Sequence, residues 1–274
     1  MSTRVTTITA GRPASFATLL AELWAFRGLV WAFAARDLKV KYTQTVFGPL
    51  WVIANPLITV GVLTFVFGML VKVPSDGLPY MVFYLAAIVP WNCFSTVLNQ
   101  VTGSLESQAR LISKIYFPRL VIAVAYALTG TFDFLVGYTV GCFIAAGFGV
   151  LRPGYLLLMP LLLAIQLAWA LGLGLLLAPF NGRYRDVKYM LPLAVQLYYF
   201  ATPVIYPVSL APAWARWLYE FNPLAAVIDS YRAALGGRAL PWASLGFSAA
   251  AAAVVLVLGA MVFMRREQDL VDVL

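Results

Sequence analysis

Residues 47–71 have the sequence FGPLWVIANPLITVGVLTFVFGMLV, and this stretch decides the kind of fold. It contains no charged side chain over its whole length. A helix needs about 20 consecutive apolar residues to cross the roughly 30 Å hydrocarbon layer of a bilayer. The stretch therefore predicts a transmembrane helix that enters through Gly48 and Pro49 and stops at Lys72.

The rest of the chain repeats this pattern. Of the 274 residues, 62% are hydrophobic and only 11% are charged, which is too little polar side chain to cover a water-soluble domain. We therefore predict an all-α polytopic membrane protein in which a single transmembrane domain occupies residues 1–274. The predicted spans are residues 47–71, 80–101, 119–150, 155–180, 189–206 and 242–264.

Two segments do not fit a simple span. Residues 15–37 have apolar side chains near helical spacing, but Glu22 and Arg27 interrupt them. A charge at the bilayer centre costs roughly 2.5–3.5 kcal/mol on insertion scales, so we predict an amphipathic interfacial helix in the membrane plane. Residues 208–240 mix apolar side chains with prolines and charges. We predict that they form paired short helices that re-enter the membrane from one face.

The basic residues indicate the orientation. With six spans, both ends of the chain lie on one side, and that side holds all but five of the 19 Lys and Arg residues. The five exceptions are Lys72, Arg152, Arg216, Arg232 and Arg238. Because basic loops stay in the cytoplasm, both termini are predicted to be cytoplasmic. The net charge of +8 is thus a topology signal and does not indicate nucleic-acid binding.

Residues that carry enzymatic chemistry are scarce. Histidine is absent, and with it the commonest general base and metal ligand. Cys93 and Cys142 lie in apolar stretches without redox or metal-ligand spacing, so we predict that they only pack. A membrane-embedded glycosyl- or acyltransferase, the alternative from the enzyme class, would need clustered acids, a histidine or a metal-binding pair. No G-x-x-x-x-G-K-[ST] loop is present to bind ATP.

Asp133 is the acid that falls near the centre of a predicted span. An unpaired charge there is costly, so we expect Asp133 to face a polar cavity or to hold a partner. A proton- or ion-driven carrier is a further alternative, but such carriers usually show inverted repeats and several intramembrane charges. The chain offers no internal repeat and no acidic or basic companion for Asp133 in a neighbouring span.

Several short motifs resemble one known family, the membrane subunits of ABC-2 type polysaccharide exporters. They are residues 36–42 (RDLKVKY), 47–51 (FGPLW), 111–119 (LISKIYFPR), 183–187 (RYRDV), 206–207 (YP) and 221–223 (FNP). The resemblance implies a homodimer in the bacterial inner membrane that rests on two copies of a cytoplasmic P-loop ATPase. The cargo would be a lipid-linked polysaccharide, O-antigen-like or capsular, and ATP and Mg would bind to the ATPase alone. An ABC-2 exporter of drugs or of another lipid is the nearest alternative.

The resemblance also assigns roles to residues. Residues 104–114 correspond to the coupling helix that docks on the ATPase, although such a loop could merely connect two spans. The expected contacts are Ser104, Leu105, Glu106, Arg110, Leu111 and Lys114. The lipid-headgroup entrance is expected at Arg36, Lys39, Lys41 and Tyr42. Residues 208–240 resemble the re-entrant gate, with Tyr206, Trp214, Trp217, Phe221 and Asn222 as gate residues.

Aromatic side chains are the candidates for the channel lining. A polysaccharide is bulky and rich in hydroxyls, and aromatic faces stack on sugar rings without requiring a particular hydrogen-bond pattern. The candidates are Trp91, Tyr198, Tyr199 and Phe200. Helix packing and anchoring at the membrane interface are the alternative roles for each of them.

Overall fold

The computed structural model describes residues 16–43, 47–112, 117–184, 186–212, 214 and 216–267. These residues form helices and connecting turns, without a strand. In chain order the helices are α1 (Phe16–Ala25), α2 (Arg27–Tyr42), α3 (Trp51–Leu63), α4 (Tyr80–Thr102), α5 (Ser104–Ser107), α6 (Ala109–Ile112), α7 (Leu120–Gly147), α8 (Pro153–Arg183), α9 (Asp186–Ala201), α10 (Arg216–Glu220), α11 (Pro223–Gly236) and α12 (Trp242–Glu267). Single 3₁₀ turns cover Gly48–Leu50 and Val208–Leu210.

Within the described residues, five helices are long and apolar enough to cross a membrane. They are Trp51–Leu70, where α3 continues into a π-helical stretch, Tyr80–Thr102, Leu120–Gly147, Pro153–Arg183 and Trp242–Arg266. The prediction of an all-α polytopic membrane protein is confirmed. Each of the five overlaps a predicted span, because unbroken apolar runs leave the backbone no way to satisfy its hydrogen bonds in lipid except as a helix.

The core forms around α4, most of whose side chains are buried. α8 and α12 pack closely because glycines lie at their crossing. A Cβ built on Gly259 would lie 2.2 Å from the carbonyl oxygen of Gly172. On the opposite face of α8, a Cβ on Gly174 would lie 2.7 Å from the Val101 side chain of α4. Small residues thus let these backbones approach within contact distance, as is usual where lipid supplies no hydrophobic driving force.

The helix α9 differs from the predicted fifth span, residues 189–206. It begins three residues earlier and ends at Ala201, because Pro203 and Pro207 have no N–H to continue a helical ladder. Its 16 residues cover about 24 Å at 1.5 Å per residue. This is short of the roughly 30 Å hydrocarbon layer, so α9 is not among the five helices named above.

The amino-terminal segment also differs from the single helix predicted over residues 15–37. It divides at Phe26 into α1 and α2, and α2 continues to Tyr42. The ring of Phe33 packs against Phe117, just before α7, at 5.6 Å, and Lys41 pairs with Asp133, midway along α7. These contacts are about 12 Å apart along α2 and about 20 Å apart along α7. α2 is therefore inclined along the first half of α7.

Residues 208–240 form the 3₁₀ turn and the helices α10 and α11. The 14 residues of α11 cover about 21 Å, too little to cross the hydrocarbon layer. Asn222 caps its first turn by accepting hydrogen bonds from the N–H groups of Leu224 and Ala225. Gly237 ends the helix in the left-handed region, with φ 65°. Nearly every side chain of α11 is buried.

Candidate functional site

The predicted coupling helix consists of two four-residue helices, α5 and α6, separated at Gln108. Ser104 and Leu105 are buried, so they pack α5 against the helix bundle. Glu106 is exposed, and Leu111 is half-buried. The side chain of Arg110 and the whole of Lys114 lie outside the described residues. Among the predicted contacts that the structure describes, Glu106 is therefore the one presented on the surface.

Glu106 forms an ion pair that the sequence did not predict. Its Oε1 lies 2.7 Å from Nζ of Lys188, in the first turns of α9. Both side chains are about half exposed, which makes the pair weak as a source of stability. Its importance is geometrical, because it joins α5 to the amino-terminal end of α9.

The four predicted entrance residues separate into two groups. Arg36 and Lys39 are exposed, and the Arg36 guanidinium lies over the Phe33 ring and pairs with Asp37 at 2.8 Å. Lys41 and Tyr42 instead contact α7. Lys41 forms an ion pair with Asp133, and the Tyr42 hydroxyl donates to Asp133 Oδ1 at 2.6 Å.

Asp133 therefore has partners, and they come from α2 rather than from a neighbouring span. Burial, together with the hydrogen bond to Asp133, raises the pKa of Tyr42. The phenol consequently stays protonated at neutral pH and keeps donating to the carboxylate. This contact is not predictable from the sequence pattern, because 92 residues separate Lys41 from Asp133.

The four channel candidates lie together in the structure. The ring centroid of Trp91, on α4, lies 5.8 Å from Tyr198 and 5.1 Å from Tyr199, both on α9. Phe200 packs against Tyr199 at 5.6 Å. Phe94, which the sequence analysis did not select, lies 5.6 Å from Tyr198. Trp91 is buried and Phe200 is exposed, so this aromatic cluster joins α4 to α9 and reaches the surface at its α9 end.

The predicted gate residues have two different positions. Asn222 is buried, and its Oδ1 accepts a hydrogen bond of 2.6 Å from the Tyr198 hydroxyl. Tyr206 donates to the carbonyl of Phe200 and lies 3.0 Å from the Tyr219 hydroxyl. Asn222 and Tyr206 thus connect α9 to the segment that follows it. Trp214, Trp217 and Phe221 lie exposed on the outside.

Arg232 has an environment that was not predicted from the sequence. It was counted among the loop charges of the far side, but its side chain is fully buried in α11. Its guanidinium lies 3.6 Å from the centroid of the Phe83 ring. It donates to the backbone carbonyls of Phe83, Pro203, Val204 and Tyr206 at 2.6–3.3 Å. The available signal was an arginine within the largely apolar residues 223–235, because such a charge needs a set of partners.

These contacts describe an integral membrane protein whose long apolar helices pack around a short buried helix and whose polar contacts join α5 to α9. The chain belongs to the ABC-2 type transporter family, whose model matches residues 28–235. It is 28% identical over 257 residues to the O-antigen export system permease protein RfbA of Myxococcus xanthus, covering 93% of this chain and 98% of that one.

Two further relatives have related names. The protein of the same name from Klebsiella pneumoniae is 30% identical over 199 residues, covering 72% of this chain and 76% of that one. The polysialic acid transport protein KpsM of Escherichia coli is 24% identical over 246 residues, covering 86% of this chain and 93% of that one. The chain is thus a membrane subunit of a transporter, and the resemblance stated from the motifs is confirmed.

Proposed function

We propose that this chain is the permease subunit of an ATP-binding-cassette exporter that moves a lipid-linked polysaccharide, O-antigen-like or capsular, across the bacterial inner membrane. The observation that carries the proposal is the similarity to an O-antigen export permease over 93% of this chain and 98% of that protein. The Escherichia coli relative named for polysialic acid transport supports the same class of cargo.

The proposed topology has six spans with both termini in the cytoplasm. α9 supplies the fifth span, and the turn at residues 202–206 extends it toward the far side. Support comes from the side chains of α9, none of which is buried although they are largely apolar. Such a helix is stable only against lipid or against another protein. Residues 208–240 then form the re-entrant gate at the far side of the membrane.

The proposed assembly is a homodimer bound to two copies of a cytoplasmic ATPase. Six helices alone make a poor enclosure for a glycan chain, whereas two copies related by a twofold axis form one at their interface. The exposed apolar residues of α9, among them Leu193, Leu197 and Phe200, are suited to such an interface. ATP and Mg would bind to the ATPase, and this chain would contribute the route.

The proposed mechanism transmits motion from the ATPase through α9. Closure of the ATPase dimer would push residues 104–114, and the Glu106–Lys188 pair would carry the displacement to the start of α9. The Tyr198–Asn222 hydrogen bond would carry it from the end of α9 to the start of α11. Tyr198, Tyr199 and Phe200 would then present aromatic surface to the passing sugars, and the buried Trp91 would support them from α4. Arg36 and Lys39 remain exposed and suited to the diphosphate of the lipid carrier.

The test is stimulation of the ATPase. The permease and its ATPase are purified together, placed in lipid nanodiscs and supplied with a lipid-linked glycan, a panel of drugs or unrelated lipids. Polysaccharide export predicts that the glycan raises the hydrolysis rate and that the others do not. Stimulation by drugs or by an unrelated lipid, with no response to the glycan, would identify an exporter of that other cargo instead.

A further inference from the structure

A cavity of about 430 Å³ lies between α2, α3, α4 and α7. It is separate from the aromatic cluster, because the α4 residues that line it, Asn92, Cys93 and Thr96, lie on the face opposite Trp91 and Phe94. Its volume falls in the range of roughly 300–1,000 Å³ that is usual for small-molecule sites. The proposed function assigns no role to this cavity.

The cavity lining is mostly apolar, but it carries a group of polar side chains within the helix bundle. It is lined by the Lys41–Asp133 ion pair, the Tyr42 hydroxyl and the side chains of Asn55, Asn92 and Thr96. Among the described residues, the side chains of Asn55, Asn92 and Thr96 form no hydrogen bond with another protein group. Asn92 and Thr96 are half-buried and Asn55 is exposed, so their polar groups are open to a ligand or to water, either of which would satisfy them.

The charges of the lining limit the chemistry of the ligand. Among the described lining residues, Lys41 and Asp133 are the charged ones, and they neutralise each other. A phosphate or diphosphate would therefore meet no net positive charge, and a metal ion would meet a carboxylate that already holds an ammonium. An acyl chain would leave the amide groups unsatisfied. A neutral group rich in hydroxyls can both donate to and accept from these side chains.

The rim offers a surface for the flat side of such a group. Trp51 lines the cavity at the start of α3, and its indole is 44% exposed. It packs edge-on against Phe47 with the ring centroids 5.5 Å apart. An indole at this rim would supply a flat aromatic surface for stacking on a sugar ring, while the amides and the hydroxyl would form hydrogen bonds with the ring hydroxyls.

We propose that this cavity is a binding site for a neutral polyhydroxylated group. Two sources supply that chemistry: a sugar ring of the glycan, or the glycerol headgroup of a membrane lipid. The sugar would deepen the proposed function by adding a cargo site apart from the aromatic cluster. The lipid would make the cavity a headgroup site that holds α2 against α7.

The test measures protection of a thiol inside the cavity. Val52→Cys places a reporter on the lining of α3 without removing a proposed ligand group, in a chain in which Cys93 and Cys142 are alanine. The full-length protein is reconstituted in phosphatidylcholine nanodiscs, and a water-soluble thiol reagent is added with or without methyl hexopyranosides. At a sugar concentration ten times the Kd, labelling should slow about tenfold, because only about one site in eleven remains empty. Ala239→Cys, in the exposed loop after α11, is the control reporter and should not respond.

Two substitutions test whether protection of the reporter thiol depends on the polar side chains of the cavity. Asn92→Leu and Thr96→Val should each reduce the protection strongly. Asn99→Leu, on the same helix but bonded to the Ser95 carbonyl and away from the cavity, should leave it unchanged. Thermal unfolding of each variant verifies that it is folded, and the labelling readout is independent of transport activity.

The different additives distinguish a sugar site from a lipid headgroup site. Protection by hexopyranosides supports a sugar site. Protection only when phosphatidylglycerol is added to the nanodiscs supports a glycerol headgroup site. Slowing by inorganic phosphate but by neither polyol would overturn the proposal in favour of an anion site. Unchanged labelling in every arm would also overturn it, because the cavity would then hold water alone.

Discussion

α9 and α11 are similar in length, are separated in the chain by a 3₁₀ turn and the five-residue α10, and have opposite surroundings. α9 is largely apolar, and none of its side chains is buried. α11 carries Asp229 and Arg232, and nearly all of its side chains are buried. In water the reverse would hold, with the apolar helix inside. The difference indicates that α9 is surrounded by lipid or by another subunit. α11 instead satisfies its polar groups with partners in the protein interior.

The two helices also differ in what holds them. α11 is fixed along its length by packing and by the four carbonyls around Arg232. α9 is held mainly near its two ends, by Lys188 and by the aromatic and hydrogen-bonded residues around Tyr198. We infer that α11 is a fixed support and that α9 is the element free to move during transport.

The largest expected effect is at Arg232. Arg232→Met leaves four backbone carbonyls without their donor in the buried interior, which should destabilise the protein by about 3–5 kcal/mol. The measurement is the midpoint of thermal unfolding in detergent. Arg238→Met is the matched control, since Arg238 is exposed and its pairs with Asp229 and Asp76 contribute about 0–1 kcal/mol. Equal midpoints for the two variants would contradict the view that α11 is the fixed support.

A smaller effect is expected at the junction between the helices. Asn222→Ala removes both the cap of α11 and the acceptor for Tyr198, so the free energy of unfolding should fall by about 1–2 kcal/mol. Asn99→Ala is a suitable comparison, because the Asn99 side chain bonds only within α4. A loss no larger than that of the Asn99 variant would show that Asn222 does not join the helices.

Removing a single hydroxyl tests the same junction more finely. Tyr198→Phe keeps the ring contacts with Trp91 and Phe94 but loses the hydrogen bond to Asn222, at a cost of about 1 kcal/mol. Tyr199→Phe should change the unfolding midpoint less, because among the described residues the Tyr199 hydroxyl has no hydrogen bond. A larger loss of stability for Tyr199→Phe than for Tyr198→Phe would indicate that Tyr199, and not Tyr198, joins α9 to α11.

The smallest effect on stability is expected at the other end of α9. Glu106→Lys should leave the midpoint of thermal unfolding nearly unchanged, because the ion pair with Lys188 is exposed to solvent. It should nevertheless lower the amount of cargo moved per ATP hydrolysed. Combining it with Lys188→Glu restores an ion pair and should restore much of that ratio. Failure of the exchanged pair, in a folded and ATPase-bound protein, would remove this pair from the coupling route.

The long helices could be predicted because an apolar run without charges has one structural outcome in lipid. The end of α9 was predicted too late in the chain. The apolar composition continues to Tyr206, whereas the prolines end the helix at Ala201. The contacts of Arg232 were also out of reach, because Phe83 lies 149 residues away in the chain. The Lys41–Asp133 pair could not be predicted for the same reason, because only tertiary packing brings α2 onto α7.

The roles of the coupling, entrance, channel and gate residues remain predictions. The structure places Trp91, Tyr198, Tyr199 and Phe200 in one cluster, which packing alone would also produce. It separates Lys41 and Tyr42 from Arg36 and Lys39. Residue type suggested these groups, but the direction in which each side chain points depends on the neighbouring helices.

The central claim is that this chain forms the translocation pathway and that another protein hydrolyses ATP to drive transport. The most direct measurement is accumulation of a lipid-linked glycan inside inverted proteoliposomes that contain the chain alone or the chain with its ATPase, both supplied with ATP and Mg. We expect ATP-dependent accumulation only when the ATPase is present. Accumulation of equal extent by the chain alone would contradict the claim.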